Sequence, residues 1–168
     1  MFSGEFDVTI DETGRIALPR KIRDLLEKGK IMLTKGADSC LWLFTSEQWE
    51  IFKNEIYQCT DKFSSRGRRQ RQHFIGPRQE LDIDRQGRIL VPPTLRDHAG
   101  LSKECIVLGQ VDYIEIWDAD RYKAYLAASE EDFKTGLEEI SERIQNGDST
   151  RSGTAGTDTA VSGAEKQG

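Results

Sequence analysis

Two arginines in this chain are placed to present planar cations at the tips of turns. Arg15 and Arg88 each follow a glycine and each lie four residues after an aspartate. Their segments are Ile10-Asp11-Glu12-Thr13-Gly14-Arg15-Ile16-Ala17-Leu18-Pro19 and Ile83-Asp84-Arg85-Gln86-Gly87-Arg88-Ile89-Leu90-Val91-Pro92. A guanidinium carries five donors in a rigid fork, which suits phosphate oxygens and the O6 and N7 edge of guanine. Asp11 and Asp84 have two roles open to them: holding the guanidinium, or accepting backbone N–H groups across the turn. Gly14 and Gly87 stand where a tight turn requires positive φ. A single Asp-x-x-Gly-Arg is equally the sequence of a plain turn with an internal ion pair. Two copies in register favour a pair of presented cations and an anionic partner.

Further positive charge lies close by. Arg20 and Lys21 open the segment after the first motif, and Arg85 sits inside the second. Between residues 61 and 77, Lys62, Arg66, Arg68, Arg69 and Arg71 form the densest basic run. Such runs are usually solvated, but beside two arginine tips the four arginines are candidate phosphate contacts. Arg23 and Arg96, next to Asp24 and Asp97, fit either phosphate contacts or structural ion pairs.

No catalytic machinery is legible. There is no Gly-x-Ser-x-Gly, no phosphate-binding Gly-rich loop and no His cluster at metal-ligand spacing. His73 and His98 are distant in sequence and read as neither ligands nor catalysts. Cys40, Cys59 and Cys105 are odd in number, unpaired in spacing and expected as free thiols, with Cys40 and Cys105 inside apolar strands. We therefore expect no enzyme activity, metal, cofactor or small-molecule substrate. No run approaches the ~20 apolar residues of a membrane span, and the first residues form no leader peptide, so a cytoplasmic location is expected.

The formal charge of −5 at first argues against a polyanion as partner. Divided along the chain it does not: residues 1–128 carry 20 basic and 20 acidic side chains, and residues 129–168 carry 4 and 9. The acidity belongs to the carboxyl-terminal part, and a neutral body can still own a basic face.

The elements that must position these residues follow from period and punctuation. Alternation through Phe6, Val8 and Ile10, a turn at Asp11–Gly14 and a resumed run from Arg15 to Leu18 predict a hairpin. Pro19 then starts a helix over residues 20–26 with Ile22, Leu25 and Leu26 inward and Gly29 at its end. A second hairpin over residues 31–44 turns at Gly36-Ala37-Asp38, and Thr45 or Ser46 caps a helix carrying Trp49, Phe52 and Ile56. The plan repeats at an offset of 73: strands over residues 80–83, 88–91, 105–108 and 113–117, and helices over 93–99 and from about residue 119. At the same offset Leu33 meets Ile106, Gly36 meets Gly109, Phe44 meets Trp117 and Trp49 meets Tyr122. Two such units are expected to complete one another's core. Residues 130–144 read as an acidic helix with Phe133, Leu137, Ile140 and Ile144 at helical spacing. From residue 146 onward few apolar anchors remain, so disorder is expected.

Paired Asp-x-x-x-Arg motifs, each followed by Ile-x-x-Pro, resemble the MraZ family of the AbrB/MazE-like superfamily over about residues 1–145. That resemblance implies a β-dominated α+β fold, a double-split β-barrel built from two AbrB-like repeats with flanking short helices. Together with the charge and apolar spacing, it leads us to expect a chain divided into a first repeat (1–60), a basic linker (61–78), a second repeat (79–128), an acidic helix (129–145) and a tail (146–168). It implies a nucleoid-associated transcriptional regulator, a repressor of the division and cell-wall gene cluster that binds promoter direct repeats in double-stranded DNA as a ring-shaped homo-oligomer. An alternative with the same fold is an antitoxin-like module whose acidic end wraps a protein partner. The tail argues against it, because Val161 is the only larger apolar residue in 146–168.

Overall fold

The computed structural model describes residues 1–26 and 30–147 and divides the chain into two units, Met1–Ala127 and Ala128–Gly168. The expected end of the first helix at Gly29 and most of the expected disordered tail lie outside the described residues.

The first unit is a mixed α+β domain, and only the last residue of its final helix falls in the second unit. In chain order it contains β1 (Glu5–Thr9), β2 (Arg15–Ala17), α1 (Arg20–Leu26), β3 (Ile31–Lys35), β4 (Leu41–Thr45), α2 (Ser46–Cys59), α3 (Ser65–Phe74), β5 (Gln79–Leu81), β6 (Arg88–Leu90), α4 (Pro93–Ala99), β7 (Glu104–Gly109), β8 (Ile114–Asp118) and α5 (Ala119–Ala128). Six strands form one antiparallel sheet in the order β1-β7-β8-β4-β3-β5, and β2 pairs with β6 in a separate ribbon. Exchanging the two repeats reverses the sheet order and leaves it otherwise unchanged. The register carries the same symmetry: Ile16 faces Ile89 and Trp42 faces Glu115, each pair one repeat length of 73 residues apart.

This pairing corrects the expected first hairpin. Apart from a single bridge between Ile10 and Ile16, β1 and β2 do not pair with each other; β1 joins β7 and β2 joins β6, both from the second repeat. The turn itself is present, closed by Asp11 N–H to the Arg15 carbonyl at 2.9 Å and Gly14 N–H to the Asp11 carbonyl at 3.0 Å. The strands then diverge, β1 pairing over five residues with β7 and β2 over three residues with β6. The two repeats consequently share one core, in which Ile16, Ile22, Leu33, Leu43, Ile89, Leu95, Val107 and Ile116 are sealed from solvent.

The offset of 73 is also not uniform. Ile106 packs with Trp117 and Cys40, whereas Leu33 belongs to the central core with Val107. Across β3–β4, Met32 pairs with Phe44, and across β7–β8, Ile106 pairs with Trp117. Met32 therefore corresponds to Ile106, Leu33 to Val107 and Lys35 to Gly109, an offset of 74. The second repeat has one extra residue between α4 and β7 and one fewer in the β7–β8 loop. A one-residue slip inverts every side chain on a strand, which is why pairing Leu33 with Ile106 fails while Phe44 with Trp117 holds.

Two smaller expectations change. Leu25 is 45% exposed, since a seven-residue helix following Leu18 needs only Ile22 and Leu26 to reach the core. Cys40 lies in the β3–β4 loop rather than the strand, although it is fully buried, as is Cys105. Burial pushes the Cys40 thiol up to about 12 and the Cys105 thiol up to about 11. Residues 65–74 of the basic segment form α3, capped by Ser64, whose hydroxyl accepts from Gly67 N–H at 3.3 Å.

The second unit contains α6 (Glu130–Gln145). Phe133, Leu137, Ile140 and Ile144 are all exposed on it.

Candidate nucleic-acid interface

The two Asp-x-x-Gly-Arg turns are built alike. In the first, Asp11 Oδ1 accepts from the N–H groups of Thr13 and Arg15, both at 2.9 Å, and from the Thr13 hydroxyl at 2.6 Å. In the second, Asp84 Oδ1 accepts from the N–H groups of Gln86 and Arg88, both at 2.9 Å. Each aspartate thus acts as a local cap that satisfies turn amides. Hydrogen bonding to the charged form holds both carboxyls below their ordinary 3.8, chiefly through the Thr13 hydroxyl at Asp11 and the Arg88 N–H at Asp84. Gly14 (φ +90°) and Gly87 (φ +75°) adopt the left-handed conformation that the turns need.

Antiparallel pairing of β2 with β6, with Arg15 opposite Leu90 and Ala17 opposite Arg88, sets the turns at opposite ends of one short ribbon. The ribbon continues past its strands into both turns: Leu18 N–H donates to the Gly87 carbonyl at 3.0 Å, and Val91 N–H donates to the Gly14 carbonyl at 2.8 Å. Asp11 Oδ2 lies 3.9 Å from the Arg88 guanidinium of the other repeat.

The arginines themselves differ. Arg88 Nε donates to Asp84 Oδ2 at 3.0 Å, so this side chain lies between two carboxylates. Arg15 donates to the Thr13 hydroxyl at 2.7 Å and makes no ion pair with Asp11 within 4 Å. The first tip presents the less neutralised cation, an asymmetry that identical motifs do not reveal.

Arg20 and Lys21 are exposed at the start of α1, where Arg20 makes a loose 3.9 Å contact with Asp24. Asp24 is therefore the partner of Arg20 and not, as spacing allowed, of Arg23. An open cleft brings Arg20 and Arg23 together with Arg85 and Gly87 from the opposite turn, with Asp24, Asp82 and Asp84 also on its walls. The α3 arginines form a separate group. Arg66 and Arg69 are exposed, and Arg68 donates to the Lys62 carbonyl at 3.0 Å. Arg71 closes the end of α2: it donates to the Thr60 hydroxyl at 2.8 Å and to the Thr60 and Tyr57 carbonyls at 2.7 and 3.3 Å, over the Tyr57 ring. Its Nε and Nη2 donors are committed to the protein.

The histidines, distant in sequence, meet in space. His73 on α3 and His98 on α4 have ring centroids 5.5 Å apart, and they contact the Gly36 and Asp38 carbonyls of the β3–β4 loop at 2.7 and 3.1 Å. Sequence separation carries no signal of this, because α3 and α4 flank the boundary between repeats and meet only through the shared fold. No group of three or more metal-ligating side chains occurs among the described residues, and no described helix is long and apolar enough to cross a membrane.

Swapped strands, a palindromic sheet and paired arginine turns define a duplicated α+β module that presents two cationic tips from one ribbon. The family model described as "MraZ protein, putative antitoxin-like" matches residues 1–70 and again 74–144. The chain is 41% identical over 140 residues to the transcriptional regulator MraZ of Treponema denticola, covering 83% of this chain and 97% of that protein. It is 40% identical over 139 residues to that of Treponema pallidum (strain Nichols), covering 83% and 93%, and 39% identical over 140 residues to that of Saccharopolyspora erythraea, covering 83% and 96%. The chain belongs to the MraZ family.

Proposed function

We propose that this chain is a sequence-specific DNA-binding transcriptional regulator whose Arg15 and Arg88 tips enter one groove together. The observation that carries the reading is the β2–β6 ribbon, which ties both tips to one rigid support and leaves Arg15 on a neutral hydroxyl rather than a carboxylate. A two-stranded ribbon fits the major groove, where an arginine can fork onto guanine. Arg20, Lys21 and Arg85 flank the tips as phosphate contacts, and Asp11, Gly14, Asp84 and Gly87 keep the turns in shape. Arg66, Arg68 and Arg69 supply a second basic face, with Arg71 anchoring it.

In the same reading, the sheet and ribbon wrapped around their common core constitute a double-split barrel, and the subunits close into a ring. A ring repeats the tips at fixed spacing, so direct repeats in a promoter can be engaged together and weak single contacts multiply. The outcome is repression of the division and cell-wall gene cluster by a protein held at the nucleoid. Light scattering should give a closed oligomer, and footprinting on the protein's own upstream region should give protection at regularly spaced repeats. A monomer that leaves no footprint would overturn the proposal.

A second reading, an antitoxin-like module, draws on the family description and on α6, whose Phe133, Leu137, Ile140 and Ile144 are open to a protein partner. Under it, α6 would capture a protein while promoter DNA would show no protection.

A further inference from the structure

Each turn glycine is covered by an arginine from the other repeat. A Cβ on Gly87 would run into the guanidinium of Arg23, and a Cβ on Gly14 would stand 3.1 Å from Cζ of Arg96. Arg23 and Arg96 are equivalent positions at the end of the 73-residue register, on α1 and α4. The contact is thus made twice and swapped both times: α1 of the first repeat covers the second turn, and α4 of the second repeat covers the first.

Ordinary roles do not account for Arg23. Its Nε is buried without a hydrogen-bond partner among the described residues. It forms no ion pair among the described residues, since Asp24 faces Arg20. What the side chain does make is a close contact against the glycine that immediately precedes Arg88. The Gly87 carbonyl accepts from Leu18 N–H at 3.0 Å, so a backbone hydrogen bond and the Arg23 side chain both hold the residue from which Arg88 follows. Gly14 is held the same way by Val91 and Arg96. A Cβ at Gly87 would enter the space the Arg23 guanidinium occupies and one at Gly14 would press on Arg96 at 3.1 Å, which gives the motif's glycine a second requirement beyond its positive φ.

We infer that Arg23 and Arg96 are positioning residues that aim the arginine tip of the opposite repeat. The inference rests on the reading that the tips contact DNA, but the brace itself can be tested without DNA. It makes the two tips interdependent: moving α1 redirects Arg88, and moving α4 redirects Arg15.

The test has two arms on the full-length protein. In the first, amide hydrogen exchange is followed by NMR in Arg23→Ala and Arg96→Ala. Arg23→Ala should speed exchange at Gly87 and Arg88 and leave Gly14 and Arg15 unchanged; Arg96→Ala should do the reverse. Acceleration in the variant's own turn, in both turns equally or in neither overturns the brace. Should an alanine variant fail to fold, Arg23→Lys and Arg96→Lys, which keep the stem and the charge but not the plane, must give the same crossed pattern.

In the second arm, affinity for the protein's own promoter fragment is measured across a salt series. Arg23→Ala should weaken binding by at least about tenfold, the scale of one misaligned arginine–base pairing. Its log affinity against log salt should keep the wild-type slope, because no phosphate ligand is removed. A slope flatter by ~0.9 per subunit would make Arg23 a direct phosphate ligand and overturn a positioning role. Arg15→Ala run alongside separates the two claims. If it leaves affinity unchanged, the DNA-contact reading fails, and the crossed exchange pattern alone decides the brace.

Discussion

The Asp11 carboxylate of the first turn lies 3.9 Å from the Arg88 guanidinium of the second. That approach ties the second tip to the first turn, yet the two tips are not held equally. Arg88 is flanked by Asp11 and Asp84, while Arg15 leans on the Thr13 hydroxyl. A cation already neutralised by two carboxylates gives up more to reach a phosphate or base than one held by a neutral hydroxyl. Under the proposed DNA-contact reading, Arg15 is therefore the leading tip and Arg88 the restrained one.

The turn glycines should be intolerant of a side chain, to different degrees. An L-residue at positive φ costs roughly 1–2 kcal/mol, and both Gly14→Ala and Gly87→Ala incur it. Gly87→Ala must in addition displace the Arg23 guanidinium, whereas the atoms nearest a Cβ on Gly14 stand 3.1 Å away. Denaturant midpoints should place Gly87→Ala below Gly14→Ala, and both below wild type. Equal midpoints would mean that Arg23 moves aside at no cost.

The capped aspartates predict an acid-sensitive pair of turns. Both carboxyls sit below 3.8 in the folded protein, so their contribution is present above that value and is lost as pH falls through the lower folded value. Because the Thr13 hydroxyl is the largest cause at Asp11, Thr13→Ala should raise the Asp11 carboxyl toward 3.8 and leave Asp84 unmoved. Carbon-detected NMR titration of the two side chains reads this directly.

How much of this is legible in sequence depends on the element. The turns are, because Asp, Gly and Arg at fixed spacing satisfy local hydrogen bonds that no tertiary contact needs to supply. Repeat identity and the helices starting at Arg20 and Pro93 are also legible, since proline and apolar period mark them locally. Strand partners are not: Val8 and Ile16 alternate correctly for a hairpin, but alternation reports which face is buried and not which strand lies alongside. The shift from 73 to 74 at β3 and β7 is hidden for a related reason. Leu33 and Ile106 are both apolar, and only their opposite faces tell them apart. The Arg23–Gly87 and Arg96–Gly14 contacts follow from the strand exchange, so they cannot be seen before it.

The histidine pair predicts a second, milder pH dependence. Burial, and after it the neighbouring His73, Lys35 and Arg121 charges, hold His98 below its ordinary 6.5, against the opposing pull of the Asp38 carbonyl. A base with a lowered folded value binds its proton more readily when unfolded, so stability is full above 6.5 and falls as pH drops through the folded value. Unfolding midpoints measured from about pH 8 down to about pH 5 should decline across that range, and His98→Gln should flatten the decline. An identical profile in the variant would remove His98 as its source.

The central claim is that Arg15, presented by the β2–β6 ribbon, contacts DNA. Titrating wild type and Arg15→Ala onto the protein's own promoter fragment over a salt series tests it most directly. The account predicts an unchanged melting temperature and affinity lower by at least about tenfold. It further predicts a salt slope flatter by ~0.9 for each phosphate released per engaged subunit, or an unchanged slope if Arg15 pairs with a base instead. Affinity and slope both equal to wild type would contradict it.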